Sequence, residues 1–404
     1  MKILQINKFF YRRRGAEIIF LDEIELLEKH GHEVSVFSMN HPQNLPSKYS
    51  KYFLSQVPTA KITMKVVPKL LKSFYSLEAI WKLWRLFKVV KPEVVHLHNI
   101  YHQISPSIFS VFKKYKIPIV LTAHDYKLVC PGYHLNCGQP CPKNIFLHAW
   151  KCFVLKKIKN SYLASLGVSL EWLFYKLFRY YERNVDLVLA PSESVRRNLI
   201  EYNFPEEIIK VVSNFTLMPE NTETKIDENF VLFVGGLYKE KGTDLLLETA
   251  TLLPDVKFVV VGEGPITLPD LPNMEKLGEK RGEELLKLYR KASLLFVPSV
   301  VAESFGLNIL EAGLQGTPSV ASNIGAIPEL VKDRETGLLF DPFKSSAAAD
   351  AAVLIKQLLS DRQKREQMAK DAKIYCKRNF GADKHYQALH SIYLDLVNKN
   401  KAAS

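Results

Sequence analysis

Residues 292–311 read ASLLFVPSVVAESFGLNILE: an apolar run, a Pro298-Ser299 break, an acid, a glycine and a stretch that closes on a second acid. The run up to Val297 is a strand buried on both faces, which ends in a loop and turns into a helix. That geometry aims backbone N–H groups at the loop, where an anion can sit. Glu303 lies in the loop. Glu311 lies eight positions on, close to two turns of a 3.6-residue helix, so both carboxylates can face one ligand. Hydroxyls for two acids and phosphate for the backbone describe a sugar nucleotide.

The same alternation of short β-branched runs and helical patterns extends in both directions. Strands are expected at Lys2–Ile6, Glu33–Phe37, Val94–Leu97, Ile117–Thr122, Leu187–Ala190 and Ile209–Val212. Six more follow at Val231–Val234, Lys257–Val261, Met274–Leu277, Leu294–Val297, Ser319–Ala321 and Gly337–Phe340. Such a series predicts parallel sheets covered by helices, hence an α/β chain of two Rossmann-like domains facing across a cleft. The expected division is 1–213, a linker at 214–229 rich in Asn and Thr, a second domain at 230–380, and a final helix at 381–404 packing back on the first domain.

The 404 residues carry a net charge of +13, unevenly distributed. Residues 1–200 hold 30 Lys+Arg against 13 Asp+Glu, and residues 201–404 hold 25 against 29. A basic first half implies an anionic partner there: nucleic acid, lipid headgroups or a phosphorylated acceptor. No helix-turn-helix, zinc-finger or base-stacking motif supports nucleic acid. The start lacks a secretory pattern, and the longest uncharged stretch, 94–112, is broken by His96, His98, Asn99, His102, Gln103 and Pro106. With five cysteines, a cytoplasmic location is expected, at the inner face of the cell membrane if the acceptor is lipid-linked.

Further motifs sit at strand ends. Gly235-Gly236 and Lys239, Lys241 and Gly242 follow the seventh strand, where cations suit the negative charge left on a departing phosphate. Gly262-Glu263-Gly264-Pro265 follows the eighth, and Gly278 the ninth. Arg14-Gly15-Ala16-Glu17 opens the first helix, with Arg12 and Arg13 before it forming either an acceptor-phosphate contact or a solvated loop. His124-Asp125 follows the fourth strand.

His96-x-His98 with His102 has no zinc-like spacing, and His98 is expected to line the acceptor side. Cys130, Cys137, Cys141 and Cys152 have six, three and ten residues between them, a spacing that matches no standard zinc pattern and favours free thiols over a structural metal. Aromatic and basic residues alternate helically over 61–91 and 146–183, suiting either an anionic bilayer or the cover of a sheet.

Taken together, these motifs resemble the large retaining family four of GT-B glycosyltransferases. The resemblance implies that Glu303 contacts the donor-sugar hydroxyls and Glu311 the ribose. It also implies that the backbone of Phe305, Gly306, Leu307 and Asn308 cradles the pyrophosphate or sugar, and that Lys241 is the phosphate lysine. His124 is then a positioning residue beside the donor sugar, with Arg14, His98 and Asp125 on the acceptor side and Gly15-Ala16 meeting the donor phosphate. The family usually has an arginine where this chain has Gly236; Lys239 is the candidate substitute.

The expected activity is transfer of a hexose-type sugar from a nucleotide-diphosphate donor to a glycan or lipid-linked acceptor, with retention, no cofactor and no metal. An epimerase on the same fold, or a non-catalytic nucleotide-sugar binder, are the alternatives.

Overall fold

A computed structural model describes residues 1–56, 73–135, 141–158, 160–219 and 227–402. Cys137 and the expected helical stretch 61–72 lie outside the described residues. The chain divides into two compact units. The first comprises Met1–His134, Cys141–Val212 and His385–Ser404; the second comprises Ser213–Lys384 with Leu135–Pro140.

The first unit holds one parallel sheet of β1 (Lys2–Ile6), β2 (Glu33–Phe37), β3 (Val94–Leu97), β4 (Ile119–Thr122), β5 (Leu187–Ala190) and β6 (Ile209–Val211). Their order is β2-β1-β3-β4-β5-β6. The second unit holds β7 (Phe230–Val234), β8 (Lys257–Val261), β9 (Met274–Lys276), β10 (Leu294–Val297), β11 (Ser319–Ser322) and β12 (Gly337–Phe340). Here the order is β12-β11-β10-β7-β8-β9, again parallel throughout. Both are Rossmann-like sheets.

Why these strands form is visible in the second unit, where successive residues feed opposite cores. Phe230, Leu232, Val259, Val261, Leu295 and Val297 pack with Tyr289, Ile309 and Leu310 on one face. Val231, Phe233, Phe258, Val260, Leu294 and Phe296 pack with Leu246, Ala351 and Ile355 on the other. With no polar face to present, each strand reads as a continuous apolar run, and helices cover both sides.

Each sheet reverses its strand order once. In the second unit the reversal lies between β7 and β10, which are paired; in the first it lies between β1 and β3. Loops leaving the carboxyl ends of such strand pairs diverge to opposite faces and leave a crevice for a ligand. The helix Ala382–Ala402 returns to the first unit, where Tyr393 bonds His96 of β3 and His385 pairs with Glu23.

Candidate active site

At the reversal of the second sheet, glycines let the loops after β7, β8 and β10 touch backbone to backbone. Gly242 has φ +73°, and a Cβ there would stand 1.7 Å from the carbonyl oxygen of Pro298. Only a residue without a side chain lets the turn at 239–242 lie against the end of β10. Val300 N–H then donates to the Glu240 carbonyl at 3.0 Å. Gly262, at φ +136°, stands where a Cβ would come within 1.9 Å of the Gly235 carbonyl oxygen, and a Cβ on Gly264 would be 2.3 Å from that of Leu237. Gly262 N–H donates to the Gly278 carbonyl at 2.8 Å, so the three glycine motifs form one hydrogen-bonded wall.

Against this wall stand the charged groups. Lys241 Nζ donates to Glu303 Oε1 at 2.7 Å, and the Ser299 hydroxyl donates to the same oxygen at 2.7 Å. The Glu303 backbone is held as well: Ala326 N–H donates to its carbonyl at 3.0 Å, and a Cβ on Gly325 would strike its nitrogen at 2.4 Å. Lys241 is 40% exposed and Glu303 16%, so the pair faces outward and a diphosphate can compete for the ammonium.

Glu311 is anchored separately. It is buried on the helix Leu307–Leu314, and the fully buried Tyr289 hydroxyl donates to its Oε2 at 3.0 Å. Burial, followed by the Glu311 charge, pushes the Tyr289 pKa well above 10, so the hydroxyl remains a donor. Gly306, at φ +124°, caps this helix, and Asn308 Nδ2 donates to the Val234 carbonyl at 3.0 Å, tying its first turn to the end of β7. Phe305 turns its ring into the core against Phe380, so what it can offer a ligand is backbone.

At Gly236, the position where an arginine is usual, a Cβ would be 2.7 Å from the Tyr238 ring. The ring fills the side-chain space, while Lys239 is exposed next to it and has no ion-pair partner among the described residues.

In the first unit the chemistry is carried by buried side chains. The expectation that His98 lines the acceptor side is corrected here, because the residue is fully buried just past the end of β3. Its Nδ1 is 2.7 Å from His124 Nε2 and its Nε2 2.7 Å from Gln5 Oε1, so it orients His124 from behind. Beneath it, His96 Nε2 bonds the Thr122 hydroxyl at 2.7 Å and His96 Nδ1 bonds Tyr393 at 2.7 Å, beside the buried Glu23. Burial lowers the His124 pKa to about 4, and lowers that of His98 well below 6.5. Both rings are therefore neutral near pH 7, and the half-buried ring of His124 can position a hydroxyl but carries no charge.

Asp125 accepts the Lys127 N–H at 2.8 Å, and burial raises its pKa. Arg12 is bound to the buried Asp22 at 2.6 Å and Arg13 lies over the Phe9 ring at 4.6 Å. Arg14 and Gly15 are exposed at the start of the helix Gly15–Lys29, with Ala16 half-buried behind them. The supporting residues Tyr289, Ser299, Gly325, Gln5, Glu23 and Tyr393 escape sequence reading, because their partners are remote in the chain or set only by the fold.

Two parallel Rossmann-like sheets, each with one reversal of strand order, are the architecture of the GT-B fold class. Comparison with known proteins agrees. The model for glycosyltransferase family 4 matches residues 13–216, and that for glycosyl transferases group 1 matches 215–375. The D-inositol 3-phosphate glycosyltransferase of Corynebacterium glutamicum is 36% identical over 306 residues, 71% of this chain and 69% of that protein. Among solved structures, sucrose-phosphate synthase from Thermosynechococcus elongatus superposes with a TM-score of 0.71 at 18% identity, over 100% of this chain and 99% of that one. Anabaena HepE, solved with UDP and glucose, gives 0.64 at 17%, over 97% and 99%. The chain belongs to the group 1, family 4 glycosyltransferases.

Proposed function

We propose that this glycosyltransferase takes a hexose-type sugar from a nucleoside diphosphate sugar and transfers it, with retention, to an acceptor presented at an anionic membrane. The observation that carries the donor half is the Lys241–Glu303–Ser299 cluster at the strand-order reversal, beside a wall of backbone and the Tyr289-held Glu311. Phosphate meets Lys241 and Lys239; the hexose hydroxyls meet Glu303; the ribose diol meets the Glu311 carboxylate.

In the reaction the bond from the anomeric carbon to the phosphate oxygen breaks. The acceptor oxygen bonds to that carbon on the same face, and the acceptor proton passes to a phosphate oxygen of the departing diphosphate. No protein nucleophile is required. Lys241 stabilises the charge developing on the leaving group, and the neutral His124 aligns a hydroxyl.

Support for a membrane-borne acceptor comes from the paired helices Ile145–Val154 and Tyr162–Leu177. Trp150 is 63% exposed, Leu163 70% and Phe146 55%. Beside them stand Lys151, Lys156, Lys157 and Arg179. An apolar face edged with cations suits the headgroup zone of an anionic bilayer. No helix among the described residues is long and apolar enough to cross a membrane.

The deciding experiment is a thermal-shift panel of UDP-, GDP- and ADP-sugars, followed by NMR of the anomeric proton of the product. A donor at about 100 times its Kd stabilises by about 2.7 kcal/mol. Absence of any shift across the panel overturns the donor reading. An inverted product overturns retention, and failure to sediment with anionic liposomes at low salt overturns the membrane.

A further inference from the structure

Three cysteines and a histidine remain outside this chemistry. Cys130 lies in the loop after β4, Cys141 lies further along the chain, and His148 and Cys152 lie four residues apart on the helix Ile145–Val154, one turn above each other on one face. The Cys130 and Cys141 sulfurs and one His148 ring nitrogen all lie within 4.8 Å of one another. The Cys130 sulfur is within hydrogen-bonding reach of both Cys141 and Cys152, and the His148 ring stands beside the sulfurs of Cys141 and Cys152. Gly132 completes the enclosure: a Cβ there would be 3.6 Å from the Cys152 sulfur and 3.7 Å from that of Cys130.

A second cluster, Glu23 with His96 and His98, is as compact, and the comparison between the two is informative. There, each imidazole nitrogen already has a protein partner: Thr122 and Tyr393 for His96, Gln5 and His124 for His98. It is a satisfied polar core. His148, by contrast, is 1% exposed, and its Nε2 has no hydrogen-bond partner. A buried imidazole with an unpaired nitrogen is costly, and a metal held between the ring and the sulfurs would engage the ring more strongly than weak contacts to thiols do.

We infer that Cys130, Cys141, His148 and Cys152 are the four ligands of a structural zinc ion. Three thiolates and an imidazole are a soft, nitrogen- and sulfur-rich set that favours zinc over magnesium or calcium. A tetrahedron with bonds of about 2.3 Å to sulfur and about 2.0 Å to nitrogen has ligand-to-ligand edges of about 3.5–3.8 Å, so small movements bring Cys130, Cys141 and His148, already within 4.8 Å of one another, onto three corners, and Cys152, one helical turn from His148, supplies the fourth. Four protein ligands leave no open position, which makes the site structural. Binding releases the thiol protons, including the one that Cys130 Sγ now gives to the His134 carbonyl at 3.1 Å.

The sequence spacing hides this site because only His148 and Cys152 form a local pair. The ion would staple the loop that follows His124-Asp125 to the helix bearing Trp150, fixing the exposed helical pair to the sheet. This inference does not depend on which sugar is transferred.

The test uses the full chain, purified without chelator, with metal content by mass spectrometry and thiol titration. One zinc per chain is expected, released when the thiols are modified. Cobalt substitution should give tetrahedral ligand-field bands and sulfur-to-cobalt charge transfer. H148A and C152S should lose the metal, H148C should keep it, and C376S, altering a buried cysteine in the other unit, should keep it. If single variants do not fold, the wild type stripped of zinc should lose thermal stability and regain it with one equivalent. Zinc no higher in the wild type than in an H148A/C152S double variant overturns the inference, as does a disulfide among these cysteines or an iron–sulfur chromophore.

Discussion

The two strand-order reversals are built from opposite materials. In the second unit the loops after β7, β8 and β10 touch through glycine backbone, with a few charged side chains added. In the first, the ends of β3 and β4 carry a buried stack in which Gln5, Glu23, His96, His98 and Tyr393 back one half-buried ring, His124. A backbone wall suits a phosphate-bearing ligand whatever its other parts, whereas layered side chains can be exchanged one by one. The reversal in the second unit is therefore fixed by main-chain contact, and the one in the first is tunable.

The sharpest way to break this comparison is E303A. It removes the partner of Lys241 and Ser299, and a fall of about 10²–10³-fold in kcat is expected, close to the loss of one transition-state contact. An unchanged kcat would remove the donor cluster from the chemistry. Gly242→Ala tests the wall itself: at φ +73° with a carbonyl 1.7 Å from the new Cβ, a loss of about 3 kcal/mol is expected by denaturant unfolding. Glu311→Ala should weaken nucleotide binding in calorimetry and, because it strands the buried Tyr289 hydroxyl, should also cost about 1–3 kcal/mol of stability in denaturant unfolding.

The buried stack answers to pH instead. The His124 pKa is 6.5 when unfolded and about 4 in the fold, so between those values the unfolded chain binds a proton the native state refuses. Stability is then full above about pH 6.5 and declines as pH falls towards 4, by at most about 1.4 kcal/mol per pH unit for each such histidine. Thermal melts from pH 7 to 5 should show this slope, and H124N should make it shallower. A slope unchanged in H124N would detach that ring from the stack. At the exposed helices, K156A with K157A should reduce binding to anionic liposomes by about 30-fold, at about 1 kcal/mol per basic residue removed.

Strands were legible because sheets buried on both faces leave unbroken apolar runs, such as Phe258-Val259-Val260-Val261 in β8. Where an expected strand differs, the backbone gives the reason. The fourth begins at Ile119 and not Ile117, because Pro118 has no N–H to give the ladder, although its carbonyl accepts from Val95. The loops after β7 and β8 were legible for a related reason, since their glycine turns announce close backbone approach. What the sequence concealed were partners: nothing near Glu311 names Tyr289, and nothing near His98 names Gln5 or shows that the ring faces inward. The approach of Cys130, Cys141 and His148 was concealed in the same way, because only the fold brings them together.

The return of the helix Ala382–Ala402 has a consequence for how the protein is made. His385 and Tyr393 complete the interior around Glu23 and His96, yet they are synthesised after the whole second unit. A ribosome-bound chain can thus finish its second sheet while the first still lacks part of its core. Order of emergence and order of completion are reversed, so the nascent first unit must wait, partly assembled, for its last helix.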